Sequence, residues 1–159
     1  MSNSERSHIK IVVDDLSGSD IAELLGAHLE FAHTNSPAGS VHALDLDALK
    51  RQGITFWSAW DGPQLVGCIA LKELNPGHGE IKSMHTVKAA RRGGIARRLL
   101  SHVMAEARTR SYDRLSLETG GNDAFAPARR LYESFGFEYC PPFAEYVDNS
   151  FSTCMTRAL

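Results

Sequence analysis

The sequence predicts one α/β domain, a mixed sheet covered by helices, over all 159 residues. Two observations carry that expectation. Strand-like runs and amphipathic helical stripes follow one another from residue 9 to residue 157 in the order β α α β β β α β α β β. The length suits a single core that buries most of its apolar surface, and no internal repeat or low-complexity linker divides the chain.

Each element has a local reason. Ile9, Ile11 and Val13 alternate with Lys10 and Val12 ahead of the acidic turn Asp14-Asp15, a short first strand. Residues 17–20 supply helix-start chemistry, and Ile21, Leu24, Leu25, His28, Leu29 and Ala32 share one helical stripe that ends at Asn35-Ser36-Pro37. A connection over 36–40 leads to a short helix over 44–50. Two β-rich runs, 54–60 and 64–74, flank the turn formers Asp61-Gly62-Pro63 and predict a hairpin. A further strand spans 80–87. The helix after it carries Ile95, Leu99, Leu100, Val103, Met104 and Ala107 on one face. Residues 114–119 form another strand, Phe125, Ala128, Leu131, Tyr132 and Phe135 a helical stripe stopped by Gly136, and 137–140 and 151–157 the last strands. Residues 1–7 are expected to be disordered.

Charge is nearly balanced, 17 Lys and Arg against 19 Asp and Glu, so no global field favours nucleic acid or anionic lipid. Cys68, Cys140 and Cys154 are odd in number and lack a CxxC, which fits buried thiols in a reducing compartment. The polar start and the absence of a long apolar run predict neither signal peptide nor membrane anchor, hence a cytoplasmic protein.

The chemistry begins at Arg91-Arg92-Gly93-Gly94-Ile95-Ala96, between a strand and a helix. Gly93 and Gly94 remove side chains where the backbone turns sharply, exposing NH groups at the positive end of the helix dipole to an anion such as a pyrophosphate. Arg91, Arg92, Arg97 and Arg98 add positive charge. Taken alone, the glycine pair is read equally well as a plain turn with a solvated basic face. GxxxxGK[ST] and GxGxxG are both absent, which argues against nucleoside triphosphate and dinucleotide binding.

Arg91-x-x-Gly94-x-Ala96 matches the [QR]-x-x-G-x-[GA] signature of the GNAT superfamily of N-acetyltransferases, and Leu131-Tyr132-Glu133-Ser134-Phe135-Gly136-Phe137 resembles its LYxxxGF segment about 40 residues on. The element order resembles that fold over nearly the whole chain. Leu115 to Gly120 and Phe125 to Phe137 look like the "LSLETG" and "FAPARxLYESFGF" runs of small bacterial members of uncharacterised substrate. The resemblance implies an α+β, mostly antiparallel sheet of six to seven strands, splayed between strands 4 and 5 and flanked by about four helices. It also implies transfer of the acetyl group of acetyl-CoA to the amine of a small molecule or peptide, by direct attack in a ternary complex, and it allows a homodimer. The NH groups from Arg92 to Arg97, with Gly93, Gly94, Ile95 and Ala96 between, would cradle the coenzyme A pyrophosphate. The backbone of Met84, His85 and Thr86 would hold the pantetheine arm.

By the same resemblance Tyr132 lies beside the coenzyme sulfur as general acid, its plainer role being a core aromatic. Glu80, eleven residues before Arg91, stands where histone-acetylating members carry their strand glutamate, and is the leading candidate base. Lys82 shares its strand face. Glu118, His85 and a water chain are the alternatives. The superfamily often has an asparagine seven residues before the tyrosine; Phe125 stands there instead, leaving Asn122 as a weak coenzyme contact or, with Asp123, a helix cap.

By the resemblance, Glu30, His33 and His42 fall in the stretch that usually walls the acceptor, and Glu118, at the end of the following strand, is a further candidate acceptor contact whose plainer role is a strand-end residue or ion-pair partner. His28, on an apolar stripe, reads as a hydrogen-bonded core histidine, and no ligand spacing supports a metal site. Trp57, Trp60 and Phe56 read as core. GxSxG is absent, which argues against a hydrolase, and the arginine run lacks the interleaved aromatics of a nucleic-acid patch. Competing readings are an acetyl-CoA-binding sensor or interaction module without turnover, and transfer of longer acyl chains or transfer to oxygen.

Overall fold

The computed structural model describes residues 8–39, 44–91 and 93–159. Its strands are β1 (Ile9–Val13), β2 (Ile54–Asp61), β3 (Gln64–Asn75), β4 (His78–Thr86), β5 (Arg114–Gly120), β6 (Glu138–Cys140) and β7 (Ser152–Ala158). Its α-helices are α1 (Ser19–Thr34), α2 (Leu46–Leu49), α3 (Ile95–Thr109) and α4 (Ala126–Ser134), with 3-10 turns at Lys88–Ala90 and Asp123–Phe125. The expected element order and the mixed, mainly antiparallel sheet are both present. Arg92, His42 and residues 1–7, about which the sequence carried expectations, lie outside the described residues.

The seven strands form one sheet in the order β1-β2-β3-β4-β5-β7-β6. Every neighbouring pair is antiparallel except β4 and β5, which run parallel from His78 opposite Arg114 to Ile81 opposite Leu117. Beyond that register β4 continues to Thr86 and β5 to Gly120 without pairing to each other. This is the expected splay.

A bulge in β4 accounts for the divergence. Cys68 faces His85 while Ala70 faces Lys82, so β4 carries one residue more than β3 across this interval. The extra residue bends a strand and leaves backbone groups outside the ladder. Ser83 takes up the bend with φ +54, and its carbonyl accepts the Cys68 thiol at 3.2 Å.

Strand alternation sends side chains to two cores. Ile69, Leu71, Ile81, Leu115, Leu117 and Met155 pack under α3 and α4, where Leu99, Leu100 and Val103 are fully buried. Each such side chain contributes about 1.5–3 kcal/mol. Cys68, Ala70 and Phe56 face the other way, against Leu16, Ile21, Leu24, Leu25 and Leu49 of α1, α2 and their connections. Trp57 and Phe56 are both core residues, one on each face. Cys68 and Cys154 are buried free thiols and Cys140 is half-buried.

Two helix starts depart from expectation for local reasons. Asp45 is the N-cap of α2, its side chain accepting the Ala48 NH at 2.9 Å, so Leu44 and Asp45 stay outside the helix. Before α1, Asp14 and Asp15 fold the entering turn by accepting the NH groups of Leu16 and Ser17 at 2.8 and 3.0 Å, while the N-cap itself is Gly18. Gly136 ends α4 with φ +84, as the stripe required.

Gly67 sets how closely α3 approaches the sheet. A Cβ there would stand 3.0 Å from the His85 carbonyl oxygen and from side-chain carbons of Ile95 and Leu99. Gly67→Ala should therefore lower stability by about 1–3 kcal/mol through overpacking. Urea denaturation checks this, and an unchanged midpoint would show that the contact does not limit helix docking.

Candidate functional site

The splay opens into a cleft of about 790 Å³ that reaches both faces of the sheet. One end is the start of α3. Gly94 is its N-cap in the left-handed conformation, φ +82 and ψ 11, a geometry that penalises any residue with a Cβ. The first-turn NH groups of Ile95, Ala96 and Arg97 have no intrahelical acceptors and lie at the positive end of the dipole. Gly94, Ile95, Ala96 and Arg97 line the cleft, whereas the Gly93 NH turns back to the Ala90 carbonyl at 3.3 Å. Arg91 also lines it, its Nε donating to the Thr86 carbonyl at 3.3 Å. The Arg97 guanidinium is drawn toward α4, donating to Ser134 Oγ at 3.2 Å and covering the Phe135 ring at 4.9 Å. The Arg97 guanidinium is thus engaged by α4, which leaves its backbone NH as the group at the helix start.

The bulged part of β4, Met84, His85 and Thr86, lines the middle of the cleft, opposite Thr119 and Gly120 of β5. His28 from α1 meets His85 with their Nδ1 atoms 3.1 Å apart, one ring donating and the other accepting. Burial pushes His28 down to about 4, and burial with the neighbouring His28 and Arg91 does the same to His85. The pair is uncharged at neutral pH. His28 is hydrogen-bonded as expected, but it is half-buried and lines the cleft rather than the core.

The other end holds the acid-base groups. Glu80, 3% exposed, accepts Lys82 Nζ at 3.0 Å and the Tyr146 hydroxyl at 2.5 Å, and Lys82 donates to that hydroxyl at 2.9 Å. A buried carboxylate bonded in this way is electrostatically matched, and removing either charged partner is costly. Burial, followed by the Glu80 carboxylate, holds the Tyr146 hydroxyl far above its ordinary range, so it remains protonated. Glu118, on the same sheet face, has a different environment. Burial pushes it up to about 7, against partial offsets from Ser152 and Lys82. The Ser152 hydroxyl is buried beside it without a hydrogen bond of full geometry.

Tyr132 approaches from the opposite face. It is 7% exposed, packs edge to face on Phe137 at 5.9 Å, and lines the cleft. Burial and the Glu118 charge raise its hydroxyl well above the usual phenol range. The core and cleft roles expected of it coincide.

Three candidates lie elsewhere. The Asn122 side chain donates to the Asn35 carbonyl at 2.8 Å, joining the loop after β5 to the end of α1, and makes no cap bond. Glu30 lines a second cavity of about 640 Å³ on the far side of α1, which meets the first at Phe31, His85 and Arg91. His33 is exposed and lines neither cavity. Tyr146, Phe31 and Phe151 also line the cleft, and the sequence reading missed all three. No motif marks Tyr146; it sits in the 141–151 connection, 66 residues from Glu80. Among the described residues no group of three or more His, Cys, Asp or Glu could hold a metal ion, and no helix is long and apolar enough to cross a membrane.

One cleft thus runs along the splayed parallel pair from the helix start at Gly94 to the carboxylates of Glu80 and Glu118. The chain belongs to the acetyltransferase (GNAT) family, whose model matches residues 20–137. It is 53% identical over 152 residues to the Bacillus subtilis (strain 168) protein named Uncharacterized N-acetyltransferase YsnE, covering 96% of this chain and 99% of that one. It is 43% identical over 136 residues to Uncharacterized N-acetyltransferase YedL of Escherichia coli (strain K12), covering 86% of each. A GNAT family acetyltransferase from Elizabethkingia anophelis with acetyl-CoA bound superposes with a TM-score of 0.71 at 19% identity, covering 96% and 99% of the two chains.

The Glu118 environment has a consequence for stability. Its carboxyl titrates near 7 in the folded chain against an ordinary 4.5. Below 4.5 both states hold the proton; above it the unfolded chain releases the proton first, so stability falls until pH passes about 7. Glu118→Gln should therefore match the parent at pH 4 and exceed it at pH 8, by on the order of 1–2 kcal/mol after discounting for partial solvent screening. Thermal melts across pH read this directly, and parallel Tm profiles would refute it.

Proposed function

We propose that this chain transfers the acetyl group of acetyl-CoA to an amine by direct attack within a ternary complex. The observation that carries the reading is the continuity of one cleft, from the first turn of α3, along the bulged part of β4, to Glu118 and Tyr132. The first-turn NH groups suit the coenzyme pyrophosphate, and Arg91 adds charge beside them. Arg92 falls at the same turn in the sequence. The pantetheine arm is an extended chain with amide groups, and residues 84–86 offer it the strand edge left open where the β4–β5 ladder ends at Ile81 and Leu117.

In the proposed reaction the acceptor enters from the α1 face as an ammonium ion, and Glu118 takes a proton to free the nitrogen lone pair. Nitrogen then bonds to the acetyl carbonyl carbon, the carbon–sulfur bond breaks, and sulfur leaves as thiolate. Tyr132, kept protonated by burial, donates the proton that yields free coenzyme A and regains one from the acetylated nitrogen, while Glu118 releases its proton to water, so that ammonium and acetyl-CoA give amide, coenzyme A and one proton.

Glu118 replaces Glu80 as our candidate base for an electrostatic reason. Glu80 is already bonded to Lys82 and Tyr146, while Glu118 titrates near 7, where a base is half-ionised and still proton-avid. Glu80 then serves to hold Lys82 and Tyr146 in place.

The test is release of free thiol from acetyl-CoA in the presence of amines. Parent kcat/KM should rise with pH to a plateau above about 7, the value for Glu118, since only its ionised form accepts a proton. Glu118→Gln should lose about 10²–10⁴-fold and with it that inflection, and Tyr132→Phe should slow kcat. If Glu80→Gln instead removed the inflection, the base would be Glu80. Binding of acetyl-CoA without thiol release from any acceptor would leave only a coenzyme-binding module.

A further inference from the structure

The acceptor half of the cleft carries its own chemistry. Phe31 of α1, Phe125 of the turn before α4 and Phe151 at the entry to β7 meet edge to face, with ring centroids 5.4 Å apart for the first pair and 5.9 Å for the second. All three line the cavity. Phe125 is seated on Gly120, where even a Cβ would collide with its ring. Gly120 follows Glu118 by two residues on β5, so both face the same side of the sheet, about 7 Å apart along the strand.

That spacing separates a proton-accepting group from an apolar aromatic wall. A ring joined to an amine nitrogen through two or three atoms spans it. Edge-to-face aromatic packing favours such a ring by about 0.5–1.5 kcal/mol beyond its buried area.

The charges argue against other amines. Lys82 is the cation on the acceptor face of the cleft among the described residues, and it already donates to Glu80 and Tyr146. Arg91 and Arg97 belong to the α3 end. An amino-acid carboxylate would enter beside Glu118 and Glu80 with no uncommitted cation among the described residues of that face to receive it, and the second ammonium of a polyamine would be stripped of water among phenyl rings.

We infer that the acceptor is an arylalkylamine: a primary amine on an aromatic body that carries no carboxylate, with its nitrogen at Glu118 and its ring against Phe31, Phe125 and Phe151. The inference rests on the acetyltransferase reading above, and its test separates the two. Purified protein is given acetyl-CoA with 2-phenylethylamine, n-hexylamine, L-phenylalanine, spermidine or a tripeptide with a free N-terminus. Thiol release and product mass are measured for each.

The expected result is a kcat/KM for 2-phenylethylamine at least about tenfold above those for L-phenylalanine, spermidine and the tripeptide. Phe31→Leu, which keeps an apolar side chain of similar bulk, should cut the ratio of phenylethylamine to hexylamine turnover by about threefold or more. Preference for the amino acid, the polyamine or the peptide would overturn the acceptor assignment and leave acetyl transfer standing. An unmoved ratio in Phe31→Leu would remove the aromatic wall from it. Absence of thiol release with every amine, acetyl-CoA binding being intact by thermal shift, would overturn both readings.

Discussion

The parallel ladder between β4 and β5 stops after Ile81 and Leu117, and the working part of the molecule follows from that interruption. Had the pairing continued, residues 82–86 and 118–120 would have spent their backbone groups on each other. The bulge at Ser83 prevents this by bending β4 while β3 stays in register on its other side. A gap in the middle of a sheet is normally costly, because unpaired backbone groups away from water lose free energy. It persists here because cores on both faces, under α3 and α4 and beneath α1 and α2, hold the flanking strands in place.

The gap also lets groups from opposite faces share one cavity. Glu80, Lys82 and Glu118 point toward α1, whereas Tyr132 belongs to the α3 and α4 side, and an unbroken sheet would keep them apart. Within the shared space two carboxylates have opposite fates. Glu80 is bonded by Lys82 and Tyr146; Glu118 is dehydrated without an equal partner. Division of two like groups by environment is how a site obtains distinct acid-base behaviour from one residue type.

Much of this was legible in the sequence because it depends on local pattern. The α3 stripe gave every buried residue of that helix, and the Gly94 turn needed nothing more than a β-to-α transition and a position intolerant of Cβ. The Glu80 and Lys82 pair followed from strand alternation. Tyr146 did not, because its contact with Glu80 depends on how the 141–151 connection folds back over β4, and nothing periodic encodes that path. Phe31 and Phe151 were missed for a related reason: each looks like a routine apolar residue until Phe125 brings them together. The relative standing of Glu80 and Glu118 was equally out of reach, since it turns on which carboxylate finds a cation after folding.

Phe125 shows how a departure from a family pattern gains meaning from its neighbours. At this position a polar side chain would face the cleft; here a phenyl ring is pressed onto Gly120 and meets Phe31 and Phe151 edge to face. Gly120 is what permits the seat, because any larger residue would drive the ring outward. Arg129 fixes the same corner, donating to the carbonyls of Gly120 at 2.7 Å and Asn122 at 2.8 Å, and Asn122 in turn ties it to α1 through Asn35. The ring is therefore held from three elements and is part of a rigid wall. A rigid apolar wall orders its occupant at little entropic cost, whereas a flexible polar one would first have to be ordered itself. On the proposed reading, selectivity for the second substrate rests on this loop, whose contacts with Phe31, Phe151 and Asn35 join residues far apart in the sequence.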